Sequence, residues 1–249
     1  MNSGQAAAAR VLFVSDERGW PRTSGYRRRT SQILRSVAAI GPTVWVVAPR
    51  NNNDRGEAVE LPADLADRVT VIQVAAPGRG RLATAARWAV SGLPWPLAAG
   101  DWSFADRALA DLADQPFDIV WSMGIDALLA TRRAGIRARN SFVDADLESL
   151  KLGRRLESGS GIGVTRSLIM KIDQRRWSRL ESNAAATTTG FSVCSEEERR
   201  LLGDPAFVTV NSYSVAIETT DRAPQTYGNR ASGDAILFVG SLAYQPNLD

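Results

Sequence analysis

Histidine is absent from the 249 residues, cysteine occurs once, as Cys194, and only Lys151 and Lys171 among the 30 basic residues are lysine. Without histidine there is no Ser/His or Cys/His nucleophile pair and no ordinary zinc site, and a lone cysteine rules out an intramolecular disulfide. Long apolar runs are missing too: none approaches the about eighteen residues that a membrane-spanning helix requires. The N-terminus, MNSGQAAAAR, has no charged segment ahead of its short alanine run, so it does not read as a signal peptide. These absences predict a soluble, cytoplasmic chain whose contact with a membrane is peripheral.

Scarcity of lysine leaves arginine to carry the positive charge. The 30 basic and 27 acidic residues give a net charge of +3, too small a balance to argue for nucleic acid, and no basic stretch is interleaved with stacking aromatics. Arginine is the better fork for phosphate or carboxylate, although codon bias in a GC-rich genome explains its excess without any ligand. With 44% hydrophobic residues the chain suffices for one large core and leaves little for a complete second domain.

What is present alternates. Val11 to Ser15 (VLFVS), Thr43 to Ala48 (TVWVVA), Val69 to Ala75 (VTVIQVA), Phe117 to Met123 (FDIVWSM), Ser141 to Asp144 (SFVD), Thr187 to Ser195 and Phe207 to Val210 read as short buried strands. Between them fall helical patterns. The first runs from Tyr26 to Ile40, with Tyr26, Ile33, Val37 and Ile40 on one face and Gly41 to end it. Pro77 to Asp114 loosens into two helical pieces around LPWPLAAGDW, and short helices follow over Ala127 to Ala134 and Leu147 to Glu157. The longest helix, Thr165 to Asn183, sets Ile169, Ile172, Trp177, Leu180 and Ala184 on one side, with Asp173 and Arg176 spaced to pair. Strands alternating with helices predict an α/β fold with a doubly wound, mostly parallel, Rossmann-like sheet. A last apolar run, Ala235 to Val239, opens a strand and turn at the end of the sequence.

That last stretch, FVGSLAYQPNLD at residues 238–249, resembles the opening strand, turn and helix of the nucleotide-sugar domain of GT-B glycosyltransferases, in particular the retaining group called family 4. The residues before it resemble that group's N-terminal, acceptor-side domain in order and spacing. The resemblance implies one half of a GT-B fold: residues 1–218 an acceptor-side domain, 219–234 a linker and 235–249 the truncated start of a donor-binding domain. It implies transfer of a sugar from a nucleotide-diphosphate sugar to a cell-envelope, polysaccharide or lipid-linked acceptor, with no metal or cofactor, at the inner face of a membrane. The donor half would come in cis or from a separate subunit, and the chain alone would be inactive. The pattern departs from the family at Val210 to Tyr213, where only Asn211 matches a usual proline, asparagine and glycine.

Candidate chemistry gathers where strands end. Arg27, Arg28 and Arg29 fall in the first turn of the first helix, where the helix dipole disfavours cations, so an anionic guest such as phosphate would rationalise them. Ser24 and Gly25 would let the backbone approach that guest, and the resemblance places Gly25 and Arg27 near donor diphosphate; an exposed arginine face with a turn glycine explains the same residues. Asp144 and Asp146 close the fifth strand and resemble a family segment that holds the acceptor. Either can orient or deprotonate a hydroxyl, Asp144 being preferred, while Asp146 also suits a helix N-cap.

Ser195 with Glu198 forms a capping box, its hydroxyl a secondary substrate contact. The Trp95 loop would shape acceptor choice. Arg79, Arg81 and Arg87 around Leu82, Ala86, Trp88 and Val90 suit anionic lipid, an acceptor groove, or plain core packing. Gly19 and Gly25 are too sparse for a dinucleotide fingerprint, and the run Gly159 to Gly163 follows no strand, which sets aside a nicotinamide-dependent oxidoreductase. The other reading left is a non-catalytic subunit that docks a separate donor-binding chain.

Overall fold

A computed structural model describes residues 8–20, 24–48, 59–74, 81–99, 103–158, 163–203 and 207–210. All lie in the first of two units into which the chain divides, Met1–Tyr213. The linker at 219–234, the strand and turn expected over 235–249, the departure at Asn211 to Tyr213, Trp102 and most of the glycine run at 159–163 lie outside the described residues.

Seven strands, β1 (Val11–Ser15), β2 (Thr43–Val47), β3 (Val69–Gln73), β4 (Phe117–Met123), β5 (Ala138–Asp144), β6 (Gly190–Val193) and β7 (Val208–Val210), form one sheet in the order β3-β2-β1-β4-β5-β6-β7. Every pairing is parallel. The helices are α1 (Gly25–Ile40), α2 (Arg81–Ser91), α3 (Trp95–Ala99), α4 (Ser103–Ala110), α5 (Ile125–Arg133), α6 (Glu148–Glu157), α7 (Val164–Thr187) and α8 (Glu196–Leu201). This is the α/β, doubly wound, Rossmann-like architecture that the alternating pattern predicts.

A strand's side chains alternate between faces, so a run with no polar interruption must be covered twice. All five residues of β1 are buried. Val11 and Phe13 join Ile33, Leu34 and Val37 of α1, with Trp45 and Val69, on one face. Leu12 and Val14 join Val46, Leu109, Phe117 and Ala127 on the other. A third cluster packs Leu97, Leu128, Val143, Trp177, Phe191 and Val208 over the second half of the sheet. The strand order reverses between β1 and β4, and in such sheets ligands settle outside the carboxyl ends near that point.

Three local expectations differ from what is observed. Ile40, expected on the buried face of α1, is 50% exposed; that face is Ile33, Leu34, Val37 and Ala38. Gly41 ends α1 as expected, at a place where a Cβ would sit 2.0 Å from the Ala9 carbonyl oxygen. The region after β3 carries three helices, because Trp95–Ala99 winds a short helix inside the expected loop, with Pro96 in a first turn that needs no N–H from it. On α2 the aliphatics Leu82 and Val90 point to solvent while Trp88 turns inward.

On α7, Trp177 and Ala184 are buried as expected, together with Met170, Ala185, Asp173 and Glu181. Asp173 and Arg176 do not serve each other. The Trp88 indole N–H donates to Asp173 Oδ1 (2.7 Å) and the Trp95 N–H to Oδ2 (3.0 Å). Arg176 donates to the Trp88 and Leu93 carbonyls, both at 2.8 Å, with its guanidinium over the Trp88 ring at 4.6 Å. The pair therefore anchors the α2–α3 segment onto α7. No described helix is long and apolar enough to cross a membrane.

Candidate functional site

The loop after β1 feeds α1, whose N-cap is Ser24 with its hydroxyl accepting from the Arg27 N–H at 3.1 Å. Gly25 is the exposed first residue of the helix. Arg27 lies 3.4 Å from Glu17. Arg29 points the other way, into the protein, and its side chain is only 4% exposed.

Arg29 ties the start of α1 to the carboxyl ends of β5 and β6. Its Nη2 donates to Asp144 in a close contact and to Ser192 Oγ at 3.5 Å, and its Nη1 reaches Cys194 Sγ and Asp146 Oδ1, the latter at 3.4 Å. The anion that Arg29 needs in its helix turn is thus internal, which corrects the expectation that an external phosphate must rationalise it. A guanidinium cannot lose its proton inside a protein, so its charge has to be met by carboxylates nearby.

The two aspartates of this edge differ. Asp144 is 2% exposed; burial raises its carboxyl above the usual range, and Arg29 with the Ser192 hydroxyl offsets that only in part. Burial pushes Asp146 up as well, but the Lys151 ammonium at 3.1 Å, the Cys194 thiol at 2.7 Å and Arg29 outweigh it and hold this carboxyl below the usual range. Its side chain is 27% exposed. Lys151 in turn is held above its ordinary value: burial opposes its charge, and Glu148 at 2.8 Å and Asp146 more than compensate.

Asp146 is not the N-cap of α6. That place belongs to Leu147, whose N–H donates to Glu198 Oε1 at 3.0 Å, while the Ser149 N–H donates to Glu181 at 3.0 Å and the Ser149 hydroxyl to the same carboxylate. Two buried glutamates from α8 and α7 therefore satisfy the opening turn of α6, a role no local spacing announces. Burial raises the Glu181 carboxyl, and its Ser149 hydrogen bonds oppose this. Glu198 also closes the capping box with Ser195, as the sequence predicts.

Around Asp144 and Asp146 opens a cavity of about 270 Å³, whose wall includes Asp16, Asp126, Glu148, Lys151, Tyr26 and Trp177. The Tyr26 hydroxyl donates to Asp16 at 2.8 Å. Asp126 stands in the first turn of α5, where the dipole favours an acid. Gly124 before it has φ 97°, and a Cβ would lie 2.6 Å from Asp126 Oδ1. The Trp177 indole Nε1 is buried without a hydrogen-bond partner among the described residues. Also among these residues, no group of three or more His, Cys, Asp or Glu side chains could hold a metal ion.

Of the residues singled out from the sequence, Asp144 and Asp146 line this cavity. Ser24, Gly25 and Arg27 stand at the start of α1 beside Tyr26. Trp95 gives its N–H to Asp173 and packs against Trp88, ring centroids 6.2 Å apart, while its neighbour Pro96 reaches the cavity wall. Ser195 is occupied as a cap. Asp16, Tyr26, Asp126 and Trp177 escaped the sequence reading. Asp16 and Asp126 were open to the rule that exposed Asp144, since each follows the carboxyl end of a strand near the reversal; Tyr26 and Trp177 look like ordinary members of apolar stripes.

No protein-family model matches this sequence, and no curated protein matches it either. Among solved structures the fold is similar to a UGT transferase from Siraitia grosvenorii in complex with UDP, at 12% identity and a TM-score of 0.42, over 85% of this chain and 52% of that one. The present chain spans about half the length of that structure.

Proposed function

We propose that this chain is the acceptor-side half of a glycosyltransferase of retaining GT-B type, which receives a sugar from a nucleotide-diphosphate sugar onto a polyhydroxylated acceptor. The observation that carries the reading is the cavity's mixture of groups. Asp16, Asp126, Asp146 and Glu148 can only accept hydrogen bonds when ionised, whereas the Lys151 ammonium can only donate. A hydroxyl does both, and a sugar presents several at once. A phosphate would face five carboxylates, with Lys151 as the one cation among the described residues of the wall. The acidic wall thus favours a neutral glycan over the donor's diphosphate.

In this reading Asp146, ionised and partly open, accepts a hydrogen bond from an acceptor hydroxyl and orients it; for retention that oxygen attacks the anomeric carbon on the face the nucleoside diphosphate leaves, and its proton passes to the departing phosphate oxygen. Asp144, committed to Arg29, is a positioning residue that fixes the edge from which Asp146 works. The diphosphate and its counter-charges belong to a donor-binding wall, which the resemblance of residues 238–249 assigns to a second domain or a separate subunit. The proposed setting is cytoplasmic, with the acceptor presented as a polysaccharide or at the inner face of a membrane.

Saturation-transfer NMR on residues 1–249 with neutral disaccharides and, separately, with UDP tests the assignment. Disaccharide contacts that weaken at least several-fold in Asp146→Asn, and that UDP does not displace, are expected. Tight UDP binding without any glycan contact, or sugar transfer by this chain alone, would overturn it.

A further inference from the structure

A second hollow, of about 670 Å³, lies between α6, α7 and α8. We infer that it is a binding site for a phosphate-bearing ligand, held by Arg154 of α6 and Arg175 and Arg179 of α7. The inference does not depend on the sugar reading, because the groove and the candidate cavity share no lining residue.

Three observations support it. First, α7 carries Lys171, Arg175 and Arg179 at successive four-residue steps on one exposed stripe, and no acid shares that stripe. Like charges at this spacing repel, and none of the three makes an ion pair among the described residues, so nothing within them rationalises the row. Second, Arg154 faces the same hollow from α6, which crosses α7 so closely that a Cβ on Gly153 would lie 2.8 Å from Gln174 Nε2. Third, the acids among the described residues of the wall are Glu157 and Glu197, and Glu197 is already engaged by Arg154.

Guanidinium forks match the oxygens of a phosphate two at a time, and two forks rising from successive turns of one helix match a diphosphate better than a single anion. Gln174 and Ser178, which also line the groove, add neutral donors between them. The chemistry is shared by soluble diphosphates and by lipid headgroups, and the two sources are separable by experiment.

Calorimetric titration of residues 1–249 with sodium pyrophosphate at low ionic strength, and co-sedimentation with phosphatidylcholine vesicles with and without phosphatidic acid, form the two arms. Saturable pyrophosphate binding assigns a soluble ligand, and sedimentation dependent on phosphatidic acid assigns a headgroup. In either arm the double substitution Arg175→Gln, Arg179→Gln should weaken binding about tenfold or more, since each charge-assisted hydrogen bond is among the strong ones. Both side chains are exposed, so the fold survives the change. Arg133→Gln, which removes an exposed arginine paired with Asp106 outside the groove, should leave affinity within about twofold. Failure of both arms, or equal losses in the two variants, overturns the site.

Discussion

Cys194 shows how far neighbours can move one group. The thiol is half-buried, donates to Asp146 at 2.7 Å and is pushed up to about 12, chiefly by burial and then by that carboxylate, with Arg29 pulling the other way. A thiol that ionises so late is a poor nucleophile at neutral pH. Alkylation of the native protein at pH 8 should therefore be much slower than of the unfolded chain, and Asp146→Asn, which deletes the raising charge, should speed it; equal rates in the two proteins would contradict the contact. The sign of the linkage follows. The folded value lies above the unfolded one near 9, so the unfolded chain loses its proton first and stability falls as pH climbs from about 9 towards 12. Melting curves of Cys194→Ser across that window should lack this part of the decline.

At the scale of elements, α2 and α3 are held by burial of Leu97 and Ala98 and by two charged residues of α7. Asp173 satisfies an indole and a backbone N–H, and removing it strands both donors. Asp173→Ala should cost about 1–3 kcal/mol in urea denaturation and raise amide exchange across residues 81–99 more than across β1 or β4; uniform exchange would argue against the anchor. This contact also marks the limit of what local patterns carry. The strands were legible because a parallel sheet covered on both faces writes unbroken apolar runs, and Asp144 and Asp146 were legible because they sit at a strand's end. Spacing of three showed that Asp173 and Arg176 could meet, but the partners that outcompete that pairing lie 78 to 88 residues away. The same distance effect hid the partner of Arg29, 115 residues off, and the carboxylates that cap α6. Trp177 could not be told from a core residue because it is one, meeting the cavity only as part of its wall.

Across the whole molecule, Arg29 with Asp144 and Asp146 joins the first helix to the carboxyl edge of the fifth strand. Both members of the inner pair are almost wholly buried, so breaking it leaves an uncompensated charge. Arg29→Met should cost about 3–5 kcal/mol, and adding Asp144→Asn should recover part of the loss, with an unchanged denaturant slope. A single-variant loss that the second change does not reduce would deny the coupling.

The strand order has a consequence for synthesis. β1 lies mid-sheet, paired on one side by β2 and on the other by β4, which begins only at Phe117. A nascent chain leaving the ribosome thus presents a strand of four apolar residues and Ser15 whose β4 edge stays bare until Phe117 has been made. Long-range parallel pairing of this kind is slow and prone to association. The interval before Phe117 emerges is where association competes with folding and where a holdase chaperone would act.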